Sequence, residues 1–183
     1  QERTGGFTEF VPVPFVHMAA PIYLKGFARR GPTFRETILM HAVARIVLHP
    51  VIHNIQASWV KVGQQGINAC LNAGVNDLGG TLINESISTS AGAQHGQLMR
   101  PAEFREMIRQ AGRVPAERYT DYKLKQVFDK ADCPVDALDL VGDNVEEIFG
   151  SYKKLVQMDE YRFEHPNSSK DREVPTDQSN VIV

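Results

Sequence analysis

Residues 54–84, NIQASWVKVGQQGINACLNAGVNDLGGTLIN, set two strand-like runs on either side of a helix-like one, and few folds accept that order. Ile55, Ala57 and Trp59 alternate as a strand does, Ile67, Cys70 and Leu71 recur at helical spacing, and Gly74 stands where a helix stops in a left-handed residue. A second strand then ends at Gly79 and Gly80. Two strands joined by such a helix run parallel with a right-handed crossover. A parallel sheet offers ligands the carboxyl ends of its strands, where a glycine pair lets a ligand approach backbone amides. The same pair reads equally as a tight turn.

The flanking segments extend the pattern. Residues 7–16, FTEFVPVPFV, predict a strand that frays where Pro12 and Pro14 interrupt its ladder. A long loop with Lys25, Arg29 and Arg30 follows. Thr33 and Glu36 then fit a capping box at the start of a helix that Pro50 ends. On that helix Ile38, Leu39, Ala42, Val43, Ile46 and Val47 form an apolar stripe expected to cover the sheet, with His41, Arg45 and His49 on another face. After a polar stretch at 85–98, Pro101 opens a further helix that buries Phe104, Met107 and Ile108 and stops at Gly112. A strand is predicted at 118–123. An acidic helix starting near Asp143 and Glu146 is expected to bury Val145, Ile148, Phe149, Tyr152 and Leu155, and the polar chain beyond Glu164 is expected to be disordered.

Strand and helix therefore alternate, the pattern of an α/β fold with parallel strands and outer helices. A complete eight-unit barrel takes about 250 residues, so this chain of 183 reads as half of a (β/α) barrel with a helical tail. A doubly wound open sheet ranks second, because neither G-x-G-x-x-G nor GxxxxGK[ST] occurs. The expected organisation is a half-barrel over 1–123, a divergent helical extension over 124–163 and a disordered tail over 164–183.

A formal charge of −2 leaves no basic field for nucleic acid or an anionic membrane, and no apolar run is long enough to span a bilayer. The two cysteines, Cys70 and Cys133, are read as reduced thiols in a cytoplasmic setting. The opening Gln1-Glu2-Arg3-Thr4, without methionine, predicts a fragment or a processed product.

Functional groups of a parallel barrel gather where strands end, which selects His17, Ser58, Lys61, Gly79, Gly80, Thr81, Glu85 and Ser86. Lys61 and Thr81 suit carboxylate or hydroxyl groups of a ligand; a solvated lysine and a capped turn are the competing readings. Glu9, inside an apolar strand, needs a partner if it faces inward and is otherwise surface. His17 and His95 suit hydrogen bonding or proton transfer near neutral pH, or are ordinary loop histidines. His49 and His53 are separated by Pro50 and are not read as a metal pair. Trp59 is read as core ahead of a stacking platform, and the Lys25, Arg29 and Arg30 cluster as a solvated loop.

Longer blocks carry a resemblance. ETILMHAVARIVLHPVIHNIQASWVK (36–61) and NDLGGT (76–81) resemble the second radical-SAM half of FO synthase, and GGFTEFVPVPF (5–15), APIYLKGFARRGPT (20–33), ESIS (85–88) and AGAQHG (91–96) fall in the same order. The likeness covers residues 1 to about 122. It implies a radical-SAM barrel that joins tyrosine to a ribityl-aminouracil in deazaflavin synthesis, with S-adenosylmethionine and a 4Fe-4S cluster as cofactors. Such a cluster is held by three thiolates at CxxxCxxC spacing, and this sequence lacks them. The resemblance therefore implies a cluster-bearing first half of the barrel as partner, and a chain inactive alone. Menaquinone-pathway radical-SAM enzymes, of the aminofutalosine synthase or futalosine cyclase type, are the nearest enzyme alternative. A non-catalytic relic or interaction module is the alternative of another class.

Overall fold

The computed structural model describes residues 1–83, 85–96, 98–130, 134–142, 145–155 and 157–161, without the side chains of Tyr152, Lys153 and Tyr161. Cys133, Asp143 and the predicted disordered tail lie outside the described residues.

Strand β1 (Glu9–Phe10) pairs in parallel with β2 (Asn54–Ile55), and a parallel bridge from Gln56 to Asp77 carries the sheet one position further. The Pro12–Pro14 stretch keeps β1 short, as a missing N–H donor must. Helix α1 (Pro21–Leu24) interrupts the loop expected before the crossover. Helix α2 (Phe34–Leu48) crosses from β1 to β2 and carries the expected capping box: the Glu36 N–H donates to Thr33 Oγ1 at 3.2 Å and the Thr33 N–H to Glu36 Oε2 at 2.7 Å. The Thr33 N–H and the Thr33 hydroxyl, which also donates to Glu36 Oε2, hold the Glu36 carboxyl below its usual range.

Of the stripe expected to cover the sheet, Ile38 packs against the core and most of the rest does not. Leu39, Val43, Ile46 and Val47 face solvent, Ile46 at 78% exposure, while Thr37, His41 and Ala44 are buried. Hydrogen bonding offsets this inversion in part: Thr37 Oγ1 donates to the Thr33 carbonyl and His41 Nδ1 to the Thr37 carbonyl, at 3.0 and 2.7 Å, while His41 Nε2 is buried without a partner. Arg45 leaves the helix to donate to the carbonyls of Gly74 and His53 and to Asn76 Oδ1, at 2.6, 2.8 and 2.6 Å. Gly74, at φ +103°, has no room for a side chain, since a Cβ there would lie 2.6 Å from Arg45 Cγ.

Trp59 opens helix α3 (Trp59–Asn72) rather than ending a strand. The period changes from two to 3.6 within the run SWVKV, so alternation carried past the end of β2. Trp59 is nonetheless core: it is buried, meets Phe104 edge-on at 6.4 Å and donates from Nε1 to the Gly80 carbonyl at 2.9 Å. Around it pack Ile55, Ala57, Ile67, Cys70, Leu71, Val75 and Leu78, with Met107 from α5 (Pro101–Gln110). Pro101 and Gly112 bound α5 as expected, with Gly112 at φ +70°.

The predicted strand at 118–123 is corrected. Strand β3 (Ala116–Arg118) pairs antiparallel with β4 (Leu124–Val127), so residues 119–123 form a turn, and β4 is exposed throughout. A 3₁₀ turn at Ala137–Leu140 lies against α5, where Asp139 accepts from the Ala102 N–H at 2.7 Å and Arg105 at 2.8 Å. The expected acidic helix is two short ones, α6 (Val145–Phe149) and α7 (Tyr152–Leu155), broken at Gly150 with φ +84°. Ile148 is 53% exposed, not buried. Among the described residues the architecture is mixed helix and sheet with no closed barrel, and no helix is long and apolar enough to cross a membrane.

Candidate functional site

A cavity of about 820 Å³ opens beyond the carboxyl ends of β1 and β2, where α2 and α3 begin. Its walls are residues 14–18 after β1, Phe34 and Thr37 of α2, residues 61–66 of α3, and residues 92–95 with Leu98, Met99 and Glu103. Helix N-termini turn their unpaired amides toward this end of a parallel sheet, which is why ligands of α/β folds collect there.

Helix α3 is kinked within this wall. Gly63 is non-helical at φ +66° and ψ 179°, between a first turn at 59–62 and the remainder of the helix. The backbone turn lets His95 close over it: a Cβ built on Gly63 would lie 2.6 Å from His95 Nδ1. Gly63→Ala is therefore expected to push His95 off the wall and to cost about 1–3 kcal/mol, the strain of a residue with a Cβ in a backbone region that is essentially glycine's alone. A urea midpoint together with the His95 imidazole resonances checks both effects, and unchanged His95 resonances would refute the contact.

Lys61 sits on the same wall and donates from Nζ to Ser88 Oγ at 2.7 Å. An ammonium has three donors, so this contact aims the side chain while leaving N–H groups for acceptor oxygens of a ligand. Ser88 is buried and is held in turn at the start of α4 (Ile87–Ser90), where its N–H donates to Glu85 Oε1 at 2.7 Å. His17 Nδ1 accepts from the Gly31 N–H at 3.4 Å, and its ring meets Tyr23 edge-on at 4.8 Å.

Of the candidates from sequence, His17, Lys61 and His95 line one cavity, and Glu85 stands behind it through Ser88. Ser58 and Ser86 are N-cap residues of α3 and α4, without side-chain capping bonds. Gly79, Gly80 and Thr81 are not in the lining; the strand expected before them is only a single bridge at Asp77, and beyond it Gly80 accepts from Trp59 and the Thr81 carbonyl accepts from the Met99 N–H at 3.4 Å. Glu9 is also outside the cavity, and the partner its position demanded is internal: Glu9 Oε2 accepts from Gln56 Nε2 at 3.1 Å and from the Tyr122 hydroxyl. Ser88 and Gly63 went unselected. A glycine inside a helical run was the available signal for Gly63.

The residues present do not fit an iron–sulfur cluster. Cys70 is fully buried between α2 and α3, 3.9 Å from His41 Nδ1, and burial pushes its thiol up to about 11, away from the thiolate a metal needs. No group of three His, Cys, Asp or Glu side chains suited to a metal occurs among the described residues. His49 and His53 meet ring to ring at 5.8 Å.

Comparison with known proteins places most of the chain. The family model for the CofH/MqnC C-terminal region matches residues 4–131. The 5-amino-6-(D-ribitylamino)uracil–L-tyrosine 4-hydroxyphenyl transferase of Methanocaldococcus jannaschii is 53% identical over 124 residues, 68% of this chain and 34% of that protein. The FO synthases of Nocardia farcinica and Mycobacterium leprae are 55% and 52% identical over 122 and 125 residues, 67% and 68% of this chain, and 14% of each relative. The chain thus spans about a third of the archaeal transferase and a smaller share of the FO synthases.

Proposed function

Because the chain belongs to the family of the CofH/MqnC C-terminal region, we propose that it is the C-terminal part of a radical-SAM (β/α) barrel that transfers the 4-hydroxyphenyl unit of tyrosine to 5-amino-6-(D-ribitylamino)uracil. The identities of 50–55% to relatives named for that transfer or as FO synthase carry the reading. The cavity wall of Lys61, His95 and His17 supports it, since donors of that kind suit the carboxylate and hydroxyl groups of an amino acid and a ribityl chain. S-adenosylmethionine and a 4Fe-4S cluster supply the radical in such chemistry. This chain lacks the cluster ligands, so the cluster belongs to a partner segment that completes the barrel.

In that assembly Lys61, steered by Ser88, holds acceptor oxygens of a ligand, and the Gly63 kink keeps His95 beside it. Pro14, Phe15, Val16, Met18 and Phe34 form the apolar side that excludes water. The family description joins a deazaflavin and a menaquinone name, so a futalosine-type enzyme is the second reading.

The test combines the chain with the cluster-bearing remainder of an archaeal relative, reconstituted anaerobically, and supplies tyrosine, the aminouracil and S-adenosylmethionine. Coupled product is expected only in the mixture, with Lys61→Met lowering turnover about 10- to 100-fold, the worth of a hydrogen bond to a charged group. A mixture that holds its cluster yet forms product only from a futalosine-type substrate would transfer the assignment to the second reading.

A further inference from the structure

One cluster of polar side chains belongs to neither the cavity nor the apolar core. It lies on the face of the sheet turned away from α2 and α3, where Glu9, Gln56 and Asp77 stand on three adjacent parallel segments. The β3–β4 hairpin reaches this face with Arg118 and Tyr122.

Asp77 is the hub. Its side chain is 9% exposed and its carboxylate accepts from Arg118 Nε, from Arg118 Nη2 at 3.0 Å, from Gln56 Nε2 at 3.0 Å and from the Gly79 N–H at 2.8 Å. The guanidinium is fixed before it reaches the carboxylate. Its carbon lies 4.0 Å from the centre of the Tyr122 ring, and Nη1 donates to the Tyr119 carbonyl at 3.1 Å. Tyr122 is tied by its hydroxyl to Glu9, and adopts φ +66°, a costly conformation for a tyrosine. A two-pronged guanidinium on a half-buried carboxylate restricts both position and rotation of the acceptor, which a single ammonium does not.

The consequence runs past Asp77. Gly79, at φ +72°, turns the chain out of the sheet two residues after the Asp77 bridge, and its amide hangs on the carboxylate that Arg118 holds. The next residue, Gly80, accepts the Trp59 indole, and Thr81 accepts from Met99 of the cavity wall. The hairpin therefore reaches the cavity wall through one carboxylate and three successive residues.

We propose that Arg118 and Tyr122 are positioning residues for the Gly79–Thr81 exit, acting through Asp77, so that a hairpin about forty positions downstream sets the backbone beside the cavity. The proposal is independent of which ligand the cavity takes. It makes the hairpin part of the site's construction and gives Glu9 a role in holding Tyr122.

Amide exchange in the ¹⁵N-labelled chain tests it. Arg118→Gln and Asp77→Asn are each expected to speed exchange at Gly79 about tenfold or more. The double variant is expected to do no more than either single, because both remove the same link. Arg118→Lys, which restores charge without the fork, should recover only part of the protection. Tyr122→Phe, a milder change that keeps the ring and loses the bond to Glu9, should raise Gly79 exchange severalfold should Arg118→Gln not fold. Lys125→Gln, which breaks an ion pair within the hairpin, should leave Gly79 unchanged. Unaltered Gly79 exchange in the foldable variants, simple addition in the double variant, or equal acceleration at Ile67 and Cys70 in α3 would each overturn the proposal, the last by showing a global loss of stability.

Discussion

Trp59→Ala is expected to destabilise the chain by about 3–5 kcal/mol, the usual cost of deleting a buried aromatic ring. Domains of this size hold about 5–15 kcal/mol in total, so the variant should lose about a fifth or more of its stability and show a lower urea midpoint. The cause is threefold. The side chain is 1% exposed, its edge contact to Phe104 ties α3 to α5, and its indole is the hydrogen-bond donor to the Gly80 carbonyl. Trp59→Phe separates these effects, since it keeps most of the packing and removes only the bond to the exposed Gly80, worth about 0.5–1.5 kcal/mol. A midpoint for Trp59→Ala within experimental error of wild type would mean that α3 is not anchored there.

A charge on the outer face of α2 is expected to act in the opposite way, sparing the fold and abolishing assembly. Ile46 and Val47 are 78% and 64% exposed on a helix whose other side packs on α3 and β2, and β1 pairs among the described residues only with β2. Both the free edge of β1 and the uncovered side of α2 lie away from α3. In the barrel proposed above, a further strand and helix would satisfy both at once, and the archaeal transferase is about three times as long as the matched segment. Ile46→Asp should therefore leave the urea midpoint within about 0.5 kcal/mol of wild type, as for a surface change. It should weaken association with the cluster-bearing remainder at least 30-fold, the effect of a central interface residue, measured by sedimentation of the mixture. Undiminished association would show that some other surface meets the partner.

These contrasts explain what could be read in the sequence. Local signals were legible because their physics is local: the Thr33–Glu36 box, Pro101 at a helix start, and Gly74 and Gly112 at helix ends all hold. The buried face of α2 was not legible, since an apolar stripe reports what must be covered and says nothing about which neighbour covers it. Thr37 went inside with its hydroxyl bonded within the helix, and His41 with Nδ1 so bonded but Nε2 buried without a partner. The hairpin was hidden by an exposed, charged β4 and by a turn whose left-handed residue is Tyr122 and not glycine. Lys61, His17 and His95 were selected from the sequence and line one cavity, Lys61 from the first turn of α3 and not from a loop, whereas Ser88 joins them only through its bond to Lys61.

The kink in α3 has a consequence for anyone seeking a heat-resistant form of this protein. Exchanging helix glycines for alanine ordinarily raises melting temperature by reducing the freedom of the unfolded chain. Here that recipe fails twice in one helix. At Gly63 the new methyl would strike His95, and at Gly66 it would lie 2.6 Å from Val62 Cβ. Both glycines border the cavity, so the gain in rigidity would come from reshaping the pocket. Thermostabilising libraries should therefore keep Gly63 and Gly66 fixed and draw their substitutions from other parts of the fold.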